Sequence, residues 1–217
     1  MSHLPTQTHD ESVRLFKSDF LEFFTHISPV VVVIIWLPVA LFFLIASIAA
    51  PVGNGFPAYI PLGFLVGIFI WTLAEYTLHR FIFHFPPRTP QMERITFLFH
   101  GVHHAYPQDR TRLVMPPVVS IPLAILFYIL FSLVFSWIGA QQWLYPTFSG
   151  FIIGYLIYDL THYATHHFPM RSNWAKWLKR YHMQHHYKTP NARFGVSSPL
   201  WDFVFATYPR DIPNKKR

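Results

Sequence analysis

AYIPLGFLVGIFIWTLAEYTLHRFIFH, Ala58 to His84, decides the fold. As far as Leu78 it is an apolar run with a single acid, Glu75, and it then breaks into a histidine pair, His79 and His84. About 20 such residues, at about 1.5 Å each, cross the hydrocarbon of a bilayer. Backbone groups in lipid must be satisfied within the segment, so the run reads as a helix. Three further stretches have the same character: Val30 to Ala50, Val118 to Ile138, and Trp143 to Leu160. Pro38, Pro61 and Pro122 interrupt the pattern, as membrane helices tolerate.

The composition agrees. Of 217 residues 52% are hydrophobic, 19% aromatic and only 12% charged, too little charge to cover a soluble surface. With no cysteine there is no disulfide, thiolate haem ligand or iron–sulfur cluster. The net charge of +7 reports topology rather than a nucleic-acid partner. All 17 Lys and Arg avoid the two short connections, Pro51 to Pro57 and Gly139 to Gln142. Arg14 and Lys17 precede the first span, five lie between the second and third, and ten follow the fourth. By the positive-inside rule both termini and the middle loop face the cytoplasm. Residues 1–28 are polar and mixed in charge, with Asp10, Glu11, Asp19 and Glu22, and do not read as a cleavable signal. Residues 29–210 form the membrane domain, and 211–217 are a basic tail ending in Lys215-Lys216-Arg217. The expected fold is all-α and integral to the membrane: four transmembrane helices in two hairpins, with a cytoplasmic helical cap.

Eleven of the 14 histidines fall in four clusters on the cytoplasmic side. They are His79 and His84; His100, His103 and His104; His162, His166 and His167; and His182, His185 and His186. Positions i, i+3 and i+4 share one helix face, so each His-x-x-His-His box predicts three imidazoles on one face. His162 and His166 are one turn apart. His79 and His84, five apart, predict a bend or fray. Neutral imidazole is a common metal ligand, and converging imidazoles are costly to pack unless something binds them. Ten of them, without His167, suffice for two metals with about five nitrogens each. Structural zinc, with four ligands and a preference for cysteine, fits less well than iron. A lone histidine is more often structural than ligating, but two boxes and two further pairs are a different matter. His167 stays open between ligand, neighbour of a ligand and solvated residue, and His3, His9 and His26 carry no assigned role.

Asp159 precedes His162 by three positions and Glu75 precedes His79 by four. Acids at the end of a span are functional candidates. Ligating histidines usually donate their second ring N–H to a carboxylate or carbonyl, which makes both acids candidate partners. The alternative is that each merely caps its helix.

The stretches Trp71 to His84, Phe99 to His104 with Asp109 to Pro117, Gly154 to His167, Leu178 to His186 and Phe194 to Asp202 resemble the fatty acid 2-hydroxylase branch of the fatty acid hydroxylase superfamily. The resemblance spans about Phe20 to Tyr208. It implies a dioxygen-dependent enzyme with two metal ions, iron expected and zinc the alternative in a purified resting form, that hydroxylates a membrane lipid acyl chain at C2. It also implies electrons from an external donor, cytochrome b5 with its reductase or a ferredoxin, since no fused haem domain is expected in residues 1–28. Asp159, Tyr158 and Tyr163 are the candidate contacts to the lipid head group. The membrane would be endoplasmic reticulum or a bacterial inner membrane. Within the superfamily, the rival is a sterol or carotenoid desaturase or hydroxylase. A rival of another class is a metal transporter or non-catalytic metal-binding membrane protein, which would place ligands near the midplane rather than at one face.

Overall fold

The computed structural model describes residues 12–49 and 57–209, and all regular structure among them is helical. The turn expected at Pro51 to Phe56, the tail 211–217, and His3 and His9 lie outside the described residues. A short helix α1, Asp19–Phe23, precedes the long helix α2, Pro29–Ala49. Helix α3, Tyr59–Thr77, continues as a π-helical segment, Leu78–Phe83. Helix α4, Pro90–Thr96, likewise leads through a π segment, Phe97–Gly101, into α5, Val102–Ala105. Helix α6, Pro117–Trp137, is followed by a 3-10 turn, Gln141–Trp143, and then α7, Leu144–His167. Helices α8, Asn173–Tyr187, and α9, Leu200–Val204, complete the fold.

Each expected span is a helix to within a residue or two, except that α7 runs on to His167. Pro38 and Pro122 sit inside α2 and α6, whereas Pro61 falls in the first turn of α3, where its missing N–H has no partner to lose. Among the described residues three helices are long and apolar enough to cross a membrane: Pro29–Ala49, Tyr59–Phe83 and Pro117–Trp137. Helix α7 is not one of the three. Its Thr, Ser, Gly and Tyr residues answer to protein neighbours, because α7 packs against α2 and α3 and is buried along most of its length. By contrast α2 and α6 bury few residues, leaving an apolar exterior such as Phe42, Leu126 and Leu133 facing outward.

The approach of α3 to α7 is set by two glycine pairs, Gly63/Gly67 and Gly150/Gly154, each spaced by four. A Cβ on Gly67 would stand 2.0 Å from the Thr147 carbonyl oxygen, and one on Gly150 would stand 1.9 Å from that of Phe64. Small residues at this spacing let helices touch backbone to backbone. Ser149 donates to the Ala40 carbonyl of α2 at 2.8 Å, and Trp36 of α2 donates its indole N–H to Ser120 of α6 at 3.2 Å. An aromatic core of Trp71, Phe148, Phe151 and Tyr155 fills the space between them. At the other end of α6, Gly139 turns the chain with φ +69°, a backbone that favours glycine. The short helices gather over the C-terminal ends of α3 and α7, where the histidines are.

Candidate metal centre

Each histidine is placed by the local geometry of its helix. The five-residue spacing of His79 and His84 is accommodated by a π turn: the His84 N–H donates to the His79 carbonyl at 3.0 Å, five residues back. The bend expected there is a wider helix that keeps both rings together. The second π segment does the same for His100, with Val102 N–H closing onto the Phe97 carbonyl. Such segments recur at functional sites because they re-aim side chains.

The ten histidines form two groups of five. His79, His84, His100, His104 and His185 make one, and His103, His162, His166, His182 and His186 the other; within each, the facing ring nitrogens all lie within 4.8 Å of one another. We label them centres A and B. The expectation of three imidazoles converging from each box is corrected here. His100 and His104, at i and i+4, serve centre A while His103 turns to B; His182 and His186 serve B while His185 turns to A. The 100° step between neighbouring residues gives each box one i, i+4 pair and one outlier. Each box therefore bridges both centres.

The contacts are Nε2 to Nε2. In A they are His79–His100 at 3.0 Å, His100–His104 at 3.1 Å and His84–His185 at 3.0 Å. In B they are His103–His162 at 2.9 Å, His103–His186 at 3.0 Å, His166–His182 at 2.9 Å and His182–His186 at 3.1 Å. Two nitrogens about 2.1 Å from one ion at right angles stand about 3.0 Å apart. The donor set therefore fits a metal ion in each group. Protonation does not oppose it. Burial first, then neighbouring imidazoles, hold His100, His103 and His182 well below the usual histidine range, and push His104 and His186 down to about 2. The rings are neutral, with lone pairs available.

Orientation in centre A comes from backbone, not from the acids expected. His79 donates Nδ1–H to the Phe194 carbonyl at 2.5 Å, and His185 donates to the Ala192 carbonyl at 2.7 Å. Both fix the tautomer that leaves Nε2 free. Between these carbonyls, buried Arg193 adopts a left-handed backbone, φ 62°, at a cost of about 1–3 kcal/mol. Glu75 does not touch His79. Its carboxylate accepts the N–H groups of Val196, at 2.5 Å, and Ser197, at 2.8 Å, together with the Ser197 hydroxyl. Asp202 accepts from Phe194 and Gly195 N–H at 2.9 and 2.8 Å. Two buried acids thus hold the loop that holds His79. Nothing in the spacing of Asp202 marks it in the sequence; it lies within the Phe194 to Asp202 stretch that resembles the family.

Asp159 likewise leaves His162 alone. It accepts the Met115 N–H at 3.1 Å and the Tyr155 hydroxyl at 3.0 Å, fixing the chain that leads into α6. Tyr158 stacks on His162, centroids 5.8 Å apart, whereas Tyr163 lies against His167 with the rings tilted by 47° and centroids 4.7 Å apart, and stands outside both centres, as does His167.

An apolar cavity of about 480 Å³ reaches the centres. Its floor is His100 of centre A, His103 and His162 of centre B, and Tyr158, all buried. Phe20, Leu21, Phe24, Phe99 and Val118 surround it farther out, and each of these is exposed. Of the three head-group candidates, Tyr158 alone lines this space.

Described residues whose regular structure is all helical, with long apolar helices and two largely buried five-histidine clusters under an apolar cavity, define a class. Residues 64–207 match the Fatty acid hydroxylase family, and the chain belongs to it. It is 38% identical to the dihydroceramide fatty acyl 2-hydroxylase FAH1 of Arabidopsis thaliana over 95% of this chain and 84% of that protein. It is 40% identical to the ceramide very long chain fatty acid hydroxylase SCS7 of Saccharomyces cerevisiae over 95% of this chain and 52% of that protein. A solved structure described as full-length scs7p, with only its hydroxylase domain visible, superposes with a TM-score of 0.81 at 39% identity, covering 91% of this chain and 73% of that one.

Proposed function

We propose that the protein hydroxylates C2 of a fatty acyl chain, free or in a sphingolipid, at a dimetal centre. The observation that carries this is the floor of the cavity: one apolar space ends on histidines of both centres at once. The names of the similar proteins, acyl hydroxylases, supply the substrate class.

His79, His84, His100, His104 and His185 would hold one ion, and His103, His162, His166, His182 and His186 the other. The chemistry supplied by two redox metals, iron by expectation, is dioxygen activation that replaces one C2 hydrogen by hydroxyl, with two electrons and two protons carrying the second oxygen to water. The residues of the chain do the rest. The apolar walls exclude water and hold the acyl chain extended. Register selects one C–H among many alike, and a displacement of about 1 Å costs about 100-fold. Tyr158, against His162, is placed to meet the carbonyl end, while Asp159 keeps Met115 and the adjoining wall in place.

In this reading α7 is the fourth span, shielded from lipid by α2, α3 and α6, and residues 29–210 form one membrane domain. The charge distribution supports both termini and the histidines lying on the cytoplasmic side. Electrons would come from a separate carrier such as cytochrome b5 or a ferredoxin. The membrane would be that of the endoplasmic reticulum or a bacterial inner membrane.

Expression in a host lacking 2-hydroxylated lipids, followed by lipid mass spectrometry, tests the proposal. Acyl chains should gain 16 mass units as hydroxyl at C2 with the parent and not with His103→Ala. A ring lipid that gains oxygen or a double bond, with acyl chains unaltered, would overturn it.

A further inference from the structure

The cavity owes one wall to a segment that packing does not explain. Residues 15–25 contribute Leu15, Phe16, Phe20, Leu21, Phe24 and Thr25 to it. Yet α1 buries none of its residues, and Phe20 and Phe23 are 71% and 73% exposed. A five-residue helix does not stand alone.

What holds the segment is Arg112. Its side chain is 2% exposed, and its guanidinium works on three sides. Nε donates to the Ser12 hydroxyl at 3.1 Å, and Nη1 donates to that of Thr25 at 2.7 Å. Nη2 donates to the Val13 carbonyl at 2.6 Å and to Glu22 at 2.5 Å, and lies 2.9 Å from Nε2 of His26. Glu22 in turn accepts the N–H groups of Leu15 and Phe16 at 3.0 and 2.8 Å. Asp109, 3.3 Å from Nε of Arg112, accepts from Ser12 at 2.5 Å. Ile27 N–H donates to the Thr111 carbonyl at 2.8 Å, and Thr111 reaches His26 at 2.7 Å. Apart from the two bonds from Leu15 and Phe16 to Glu22 and the Asp109–Arg112 pair, these contacts join residues 12–27 to 109–112. The next residues, Leu113 to Pro116, line the cavity themselves. One cation therefore sets the separation of two walls. Buried charge networks are a poor source of net stability, so a role in fixing one geometry is the better account.

We propose that Arg112 is a positioning residue that latches residues 12–26 across the mouth of the acyl cavity, and that the face formed by Phe16, Phe20 and Phe24 sets how a chain is held with C2 at the histidines. This rests on the acyl-hydroxylase reading above. The latch touches no histidine of either centre, so loosening it leaves the ligands in place while the fit of the chain changes.

Because the chain has no cysteine, Phe23→Cys gives a single site for a nitroxide label, exposed and outside the cavity lining. In lipid nanodiscs, adding Arg112→Gln should raise label mobility while metal content stays at the parent value. The same variant should raise KM for the acyl substrate roughly 10-fold, more than it lowers kcat, and spread hydroxyl from C2 to the adjacent carbon. Arg112→Lys, which keeps the charge but not the fork, should recover part of each effect. Unchanged mobility overturns the latch; raised mobility with unchanged KM and product position overturns its role in substrate fit. If Arg112→Gln does not fold, Phe24→Ala, which leaves the latch intact, decides: a raised KM at full metal content supports the wall and an unchanged KM overturns it. If the parent makes no 2-hydroxyacyl product, the substrate reading fails, and the mobility comparison still decides the latch.

Discussion

His103 and His104 are neighbours in the chain, and they serve different nitrogen clusters: His104 Nε2 lies 3.1 Å from that of His100, and His103 Nε2 lies 2.9 Å from that of His162. Exchanging either should therefore disturb one cluster and spare the other. His104→Ala should lower metal from about two ions per chain to about one, as should His103→Ala, and each should lose at least about 100-fold in hydroxylation. Elemental analysis beside product assay checks this. Two ions retained in either variant would sink the ligand assignment.

Glu75 and Asp202 act on His79 through the 194–197 loop. Glu75→Gln keeps the shape but weakens the acceptor for three donors. It should weaken metal binding roughly 10- to 100-fold, at centre A only. Chelator titration would show one ion leaving early and the other at its parent concentration; parallel loss of both would contradict the route through Phe194.

Asp159 is expected to behave differently from any ligand. Asp159→Ala frees the Met115 N–H and the Tyr155 hydroxyl, both buried, at about 1–3 kcal/mol of stability for each unsatisfied group. Activity should fall with both ions still bound. Metal loss matching that of His162→Ala would instead make Asp159 a partner of that ring.

Gly67→Ala and Gly150→Ala each drive a methyl into a facing carbonyl, at 2.0 and 1.9 Å. Backbone cannot yield as a side chain does, so the α3–α7 contact must open, at roughly 1–3 kcal/mol or more. A lower melting temperature in detergent is expected for both. Wild-type stability in either would mean that the helices do not meet there.

Acid should release the Arg112 latch. Burial raises the Glu22 carboxyl, but the Phe16 N–H, Arg112 and the Leu15 N–H outweigh it and hold it down to about 2, against an ordinary 4.5. Asp109 is lowered for similar reasons, with Ser12 and Thr111 as donors against burial. A depressed carboxyl contributes above its unfolded value and loses that contribution as pH falls. Label mobility at Phe23→Cys should therefore be flat above about pH 4.5 and rise toward pH 2. Mobility that stays flat down to pH 2 would overturn the link between the carboxylates and the latch.

Much of this was legible in the sequence, and the limits are instructive. Apolar length and basic-residue placement mark the helices because a bilayer constrains both. Histidine spacing marks the ten side chains that meet. It does not reveal that each box divides between centres, because a shared face says nothing of how many targets face it. The acids mislead for a related reason: Glu75 sits one turn from His79, but its partners Val196 and Ser197 come from far along the chain. The glycine pairs of α3 and α7 were a readable signal that hydropathy hid. Arg112 lies in the Asp109 to Pro117 stretch that resembles the family and His26 carries no pattern; only the fold brings residues 12–27 to 109–112.

The division of each box between centres has a consequence for biosynthesis. Centre A needs His185 and centre B needs His182 and His186, all on α8, so no earlier product of translation contains a complete set for either ion. The long apolar helices all precede α8 in the chain. Either cluster would then load late in maturation, once α8 has been made.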